Sequence, residues 1–85
     1  MPELNEPDQA RRDAAVEIMA AMIGTRVKRK WKETSPEIIT LIEAEEKLLY
    51  WEREEIFRGN NEIIEKIITV YAKEIQEQRG WHRNN

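Results

Sequence analysis

Apolar residues recur at helical spacing along most of this 85-residue chain, in runs separated by short polar junctions. Over residues 36–58 and 61–79 they return every three or four positions, which collects them on one side of an α-helix. Residues 8–32 form a third run that is also helical in pattern. The pattern predicts an all-α protein of three helices with these approximate bounds, and no internal repeat divides it.

The two junctions predict how the helices connect. Thr34-Ser35-Pro36-Glu37 has the composition of a helix start, with a hydroxyl to cap free amides and a proline suited to the first turn. Gly59 follows Arg58 where a left-handed C-cap is expected, and Asn60-Asn61-Glu62 caps the next helix at once. We therefore expect helices two and three to form a long antiparallel hairpin, with a shorter N-terminal helix packed on it.

Two sets of apolar positions are predicted to face each other inside this hairpin. The second helix contributes Ile38, Leu41, Ile42, Leu48, Leu49 and Ile56. The third contributes Ile63, Ile64, Ile67, Val70, Tyr71 and Ile75. Together with the first helix they predict one helical domain over residues 8–80, flanked by a flexible N-terminal tail at 1–7 and a C-terminal tail at 81–85.

The first helix has a different pattern, because its apolar residues between Ala14 and Ile23 point in every direction. A helix that is apolar all round is normally buried all round, and one hairpin covers only one side of it. The sequence therefore predicts a self-associating bundle in which Met19, Met22 and Ile23 contribute to a partner or oligomer interface. Gly24 either ends this helix or weakens it.

The second helix carries a further apolar stripe. Ile39, Tyr50 and Phe57 lie about 100° around from its main apolar face, and Trp51 lies farther round still. One interpretation is that the first helix covers the stripe and completes a three-helix core. The other is a partner interface, since aromatic residues are enriched at such surfaces. The pattern leaves both interpretations open, so these four residues join the candidate interface.

Charge is distributed unevenly in a chain whose net charge is −3. The basic segment, residues 26–32, contains no acidic residue and consists mainly of Arg26, Lys28, Arg29, Lys30, Trp31 and Lys32. Seven glutamates follow between positions 36 and 58. The cations and Trp31 are suited to phosphates and a stacked base. Alternatively, the cations complement a helix C-terminus and meet acidic protein surface, while Val27 and Trp31 pack inward.

Candidate catalytic chemistry is sparse. The chain has no cysteine, which excludes thiol nucleophiles and disulfides. Glutamate pairs such as Glu43 with Glu46 and Glu52 with Glu55 have the spacing of helical metal ligands, but di-iron bundles also need histidines. The single histidine, His82, falls in the predicted tail and is expected to be solvated. We expect no enzyme, cofactor or metal site, and a magnesium-dependent nucleotide hydrolase is a much weaker alternative.

The N-terminal residues lack the order of a signal peptide, and the longest apolar stretch is far shorter than the roughly 20 residues needed to span a bilayer. A cytoplasmic location without membrane contact is expected. The leading hypothesis is a small non-enzymatic interaction protein, a regulator or assembly subunit that acts through helical surfaces and self-associates. The alternative is a nucleic-acid-associated subunit that uses the basic segment.

Overall fold

The computed structural model describes the backbone of residues 9–83 and the side chains of residues 9–78, and it is helical almost throughout. Helix α1 spans Gln9–Lys32 and α2 spans Pro36–Phe57. The third helix is continuous but contains three parts: α3 at Asn61–Lys66, a π-helical segment at Ile67–Tyr71, and α4 at Ala72–Arg83. The described chain contains no strand. The predicted all-α fold is confirmed.

Both junctions form as their residues predict. Ser35 is the N-cap of α2, and its hydroxyl accepts a hydrogen bond from the Ile38 amide at 3.5 Å. Gly59 has a φ of 80°, and the amides of Gly59 and Asn60 donate to the carbonyls of Ile56 and Glu55 at 3.0 Å each. This pattern is a Schellman motif, which satisfies carbonyls at the end of α2 and reverses the chain.

The third helix begins at an asparagine cap. The Asn60 side chain accepts a hydrogen bond from the Ile63 amide at 3.2 Å. This helix continues to Arg83 and so includes residues 81–83, which were expected to be tail, because Gly80 lies within the helix and does not end it. The predicted tail residues 1–7 and 84–85 lie outside the described residues.

Helix α1 occupies the centre of the bundle. It is 24 residues long against 22 for α2, so it is not the shorter helix. Gly24 does not end it; α1 continues for eight further residues, up to the junction that starts α2. Helix α2 packs along α1 and meets α3, whereas the π-helical segment and α4 pack mainly on α1. The hairpin of α2 and the third helix is therefore closed near Gly59 and open farther from it.

The core lies where α1 is covered by both neighbours. Met19, Met22 and Ala15 of α1 are at most 1% exposed, and Ile23 is 9% exposed. All four belong to the core of a single chain. The remaining buried apolar residues are Ile42, Leu49, Ile56, Ile64, Ile67, Tyr71 and Ile75. Because two helices cover α1, its apolar residues are buried within one chain to a greater extent than the sequence suggested. A second molecule is therefore less necessary to cover them.

Candidate interaction surface

The basic segment lies along the acidic helix that follows it. The Arg26 guanidinium donates from Nε to Glu45 at 2.9 Å and from Nη1 to Glu74 at 3.5 Å. Its side chain is only 18% exposed. Since Glu45 belongs to α2 and Glu74 to α4, Arg26 links the two helices across the open end of the hairpin.

Lys30 makes the second tight contact of the basic segment. Its Nζ lies 2.8 Å from an Oε of Glu46 and 3.7 Å from Glu43. The hydrogen bond to Glu46 raises the pKa of Lys30 above its ordinary value. Arg29 adds a looser contact with Glu45 at 3.9 Å. The inner side of the basic segment therefore holds α1 against α2 and is occupied by carboxylates of the same chain.

The outer side of the basic segment is free. Lys28 and Lys32 are exposed, and neither has a carboxylate partner among the described residues. Trp31 is 83% exposed and does not pack inward, whereas Val27 lies against the core. Because Arg26 and Lys30 are engaged within the chain, the side chains that remain accessible on this side are Trp31, the two lysines and the half-exposed Arg29.

A buried polar contact joins α2 to the third helix near the closed end of the hairpin. Glu52 is 1% exposed. It accepts hydrogen bonds from the Tyr71 hydroxyl at 2.7 Å and from Lys66 Nζ at 2.5 Å. Lys66 Nζ also lies 5.1 Å from the centre of the Tyr71 ring. From the sequence, Glu52 was considered only as half of a glutamate pair at metal-ligand spacing, so its role in fixing the hairpin was missed.

The π-helical segment makes this convergence possible. Residues five apart in an α-helix are separated by about 140° around the axis, so Lys66 and Tyr71 would point apart. The wider turn, in which the Ala72 amide donates to the Ile67 carbonyl, brings them toward one side. Burial and the hydrogen bond to Glu52 raise the pKa of Tyr71, and the bond to Glu52 raises the pKa of Lys66. A buried carboxylate thus has both partners it needs.

The residues predicted to form a partner interface separate into two groups. Met19, Met22 and Ile23 lie in the core and are not on the surface of the single chain. The aromatic residues of α2 remain on the surface, with Tyr50 40%, Trp51 51% and Phe57 62% exposed. Ile39 is half-buried. Tyr50 is in contact with Arg53, whose guanidinium lies 5.2 Å from the ring centre.

Two leucines that the sequence assigned to the core complete an exposed stripe on α2. Leu41 is 64% and Leu48 is 50% exposed. Both lie on the same side of α2 as Glu52, where α2 faces the third helix. Leu48 is about one turn and Leu41 about three turns before Glu52. The third helix does not cover them, because beyond α3 it packs mainly on α1. With Ala44 and Trp51 they form what we call the α2 stripe.

The α2 stripe has a regular spacing that the sequence contains. Its four members, Leu41, Ala44, Leu48 and Trp51, are separated by three, four and three residues, as in the contact face of a coiled coil. The signal was the pair of adjacent apolar doublets, Leu41-Ile42 and Leu48-Leu49, which span too wide an arc for one narrow face. Ile42 and Leu49 are buried at 1% and 3% exposure.

Neither a cluster of potential metal ligands nor a helix able to span a membrane is found among the described residues. Their acidic side chains and histidines form no group of three placed to hold a metal ion. The acids near the basic segment are engaged by cations, as given above. His82 lies beyond the described side chains. No described helix combines the length and apolar character that a membrane span requires.

Neither a family model, nor a curated protein, nor a solved structure matches this chain.

Proposed function

We propose that this chain is a small non-enzymatic interaction protein that binds a protein helix along the α2 stripe. The observation that carries the proposal is the exposure of Leu41, Leu48 and Trp51, each at least half exposed, beside a core whose members are nearly all covered. Contiguous apolar surface of this kind marks interaction sites in small soluble proteins. Regulation or assembly through such contacts is the function that best fits the surface.

The form of the surface indicates the form of the partner. A straight helical stripe with a repeat of three and four residues accepts the apolar face of another helix, which inserts its side chains between those of the stripe. Covering a leucine completely contributes about 1.5–3 kcal/mol, so covering the exposed half of each leucine contributes about 1 kcal/mol. The two leucines and Trp51 together then contribute a few kcal/mol to such a contact.

The proposal is tested by capturing partners from the native host with matched charge variants. Leu48→Glu places a carboxylate in the middle of the stripe, and Gln76→Glu places the same charge on an exposed site of α4. We expect wild type and Gln76→Glu to bind the same protein and Leu48→Glu to lose it, with quantification by mass spectrometry. Binding by all three proteins alike would refute a function of the stripe.

A second candidate function rests on the outer side of the basic segment. Trp31 is 83% exposed beside free Lys28 and Lys32, an arrangement suited to stacking a base while cations contact phosphates. The engagement of Arg26 and Lys30 by carboxylates of the same chain weighs against it, since few cations remain for phosphates.

Labelled single-stranded RNA and DNA titrated at about 50 and 200 mM salt decide between the two functions. Nucleic-acid binding requires tight association at low salt that Trp31→Ala and Lys32→Glu both abolish. Protein binding predicts weak association that these variants barely change. Nuclease treatment during partner capture supplies the same discrimination in the host extract.

A further inference from the structure

We propose that the helix that covers the α2 stripe is the α2 stripe of a second copy, packed antiparallel about a twofold axis near position 46. The inference rests on the proposed function, because it names the partner of the same surface. Three properties of α2 support it: the symmetry of the stripe, the charges at its two ends, and the direction of its dipole.

The stripe is symmetric about its own centre. Leu41 and Trp51 lie five residues on either side of position 46, and Ala44 and Leu48 lie two residues on either side. In an antiparallel pair each Leu41 therefore faces the Trp51 of the other copy, and each Ala44 faces the other Leu48. A large side chain meets a small one at the inner positions, which is how facing helices fill space without overlap.

The free charges at the two ends of α2 are opposite. Lys32 lies next to the start of α2 and lacks a carboxylate partner, whereas Glu54 and Glu62 near its end lack a cation partner within the described chain. Antiparallel packing brings Lys32 of each copy toward the glutamates of the other, so the contact occurs at both ends of the pair. Parallel packing would place lysines against lysines and glutamates against glutamates.

The remaining charges at the stripe ends are compatible with the same orientation. Glu37 lies at the start of the stripe, and Arg58 at its end has a side chain that is 72% exposed. Glu55 is already engaged by Arg58 and Asn60, so it does not stand as a free acid opposite Glu37. Antiparallel helices also place the positive end of each helix dipole beside the negative end of the other.

Sedimentation equilibrium of the whole chain is the first test. Over about 1–100 µM we expect wild type and the control Gln76→Glu to form a dimer, and Leu48→Glu to associate at least about tenfold more weakly. The circular dichroism of Leu48→Glu should retain the wild-type helix content, because Leu48 is exposed within one chain. A dimer that Leu48→Glu leaves intact would overturn the inference.

Disulfide formation between mixed variants tests the orientation, since the chain has no cysteine of its own. Ala44→Cys and Leu48→Cys are mixed in equal amounts and oxidised. Antiparallel packing predicts that the mixed disulfide, 44 to 48, exceeds its statistical half of the products. Parallel packing predicts an excess of the two symmetric disulfides, and that result would overturn the proposed geometry.

Charge reversal tests the contact between the ends. Lys32→Glu should weaken dimer association about threefold to tenfold at low salt. This magnitude corresponds to the loss of one exposed ion pair at each end of the dimer. Adding Glu54→Lys to the same chain should restore association, because each reversed charge again meets its opposite in the other copy. Failure of the double variant to recover would contradict the antiparallel pairing of these ends.

The outcomes separate this inference from the proposed function. A wild-type monomer that still captures a host protein through Leu48 would overturn self-pairing and leave the binding function in place. A monomer that captures nothing through Leu48 would overturn both. A dimer that fulfils the disulfide and charge tests would establish the second copy as an occupant of the stripe.

Discussion

Leu48 and Leu49 are neighbours in the sequence, yet they lie in opposite environments. Leu49 is 3% exposed and packs in the core, whereas Leu48 is 50% exposed. The same contrast holds one heptad earlier, where Ile42 is 1% and Leu41 is 64% exposed. Helix α2 thus has one apolar side that the chain covers and another that it leaves open.

The difference arises from the path of the third helix and not from the residues of α2. At Glu52 the third helix lies against α2, held there by Lys66 and Tyr71. Beyond α3 it packs mainly on α1, so Leu48 and Leu41 have no cover from it. An apolar residue on a helix is therefore buried or exposed according to the path of the neighbouring helix.

The largest effect should come from removing a side chain on the covered side. Leu49→Ala should lower the free energy of unfolding by about 2–5 kcal/mol, because it leaves a cavity in the core. Leu48→Ala should change it by no more than about 0.5 kcal/mol in the monomer, as at other exposed sites. Urea unfolding at low protein concentration measures both. Equal losses would show that the third helix covers the two leucines alike.

Removing the contact that fixes the closed end of the hairpin should have the next largest effect. Glu52→Ala leaves the Tyr71 hydroxyl and the Lys66 ammonium without their acceptor, at a cost of about 1–3 kcal/mol. The matched control is Glu54→Ala, an exposed glutamate without a cation partner in the described chain. At low protein concentration, where the chain is a monomer, the unfolding free energy of this control should stay within about 0.5 kcal/mol of wild type. Similar losses in both variants would refute the role of Glu52.

High pH should weaken the same contact. The folded protein raises the pKa values of Lys66 and Tyr71 above their ordinary values near 10, so it binds these protons more tightly than the unfolded chain. This contribution to stability is complete below about pH 9.5 and is lost as pH rises through the folded pKa values. Thermal unfolding measured from neutral pH to about pH 11 should show a shallower alkaline decline for Tyr71→Phe than for wild type. Parallel curves would contradict the linkage.

The smallest effects should distinguish the two sides of the basic segment. Arg26→Gln removes the link between Glu45 and Glu74 and should cost about 1 kcal/mol, since the guanidinium is largely covered. Arg29→Gln loses only a contact of 3.9 Å between exposed groups and should cost at most about 0.5 kcal/mol. Urea unfolding at low salt compares them. An equal or larger loss of stability for Arg29→Gln would show that Arg26 is not the arginine that holds the helices together.

Local signals predicted the elements well. Ser35-Pro36 and Gly59-Asn60 act through hydrogen bonds within a few residues, so the sequence specifies these junctions directly. The periodic pattern likewise placed Ile42 and Ile56 on the buried side of α2. Such features depend on neighbours in the chain and are accessible without knowledge of the tertiary packing.

The tertiary arrangement was less accessible. Leu41 and Leu48 are leucines at the same helical spacing as core residues, so the sequence does not distinguish them from the core. They are exposed only because the third helix diverges from α2. The π-helical segment that accompanies this divergence has no distinctive sequence, and nothing in the sequence distinguishes the buried Glu52 from an exposed glutamate such as Glu54. Met19 and Met22 were expected at an interface because the sequence does not reveal that two helices cover α1. Each of these features depends on contacts between distant residues.

The most direct test of the uncovered side is the reactivity of single thiols introduced at the two neighbouring leucines. Leu48→Cys and Leu49→Cys each provide the only thiol of their chain, and a soluble thiol reagent reports how often solvent reaches it. In the dilute folded protein, we predict fast labelling of the Leu48→Cys thiol and labelling of the Leu49→Cys thiol slowed by orders of magnitude. We also predict that the Leu48→Cys thiol becomes protected as the protein concentration is raised into the range of self-association. Slow labelling of both thiols at every concentration would contradict the account, because the chain itself would then cover both sides of α2.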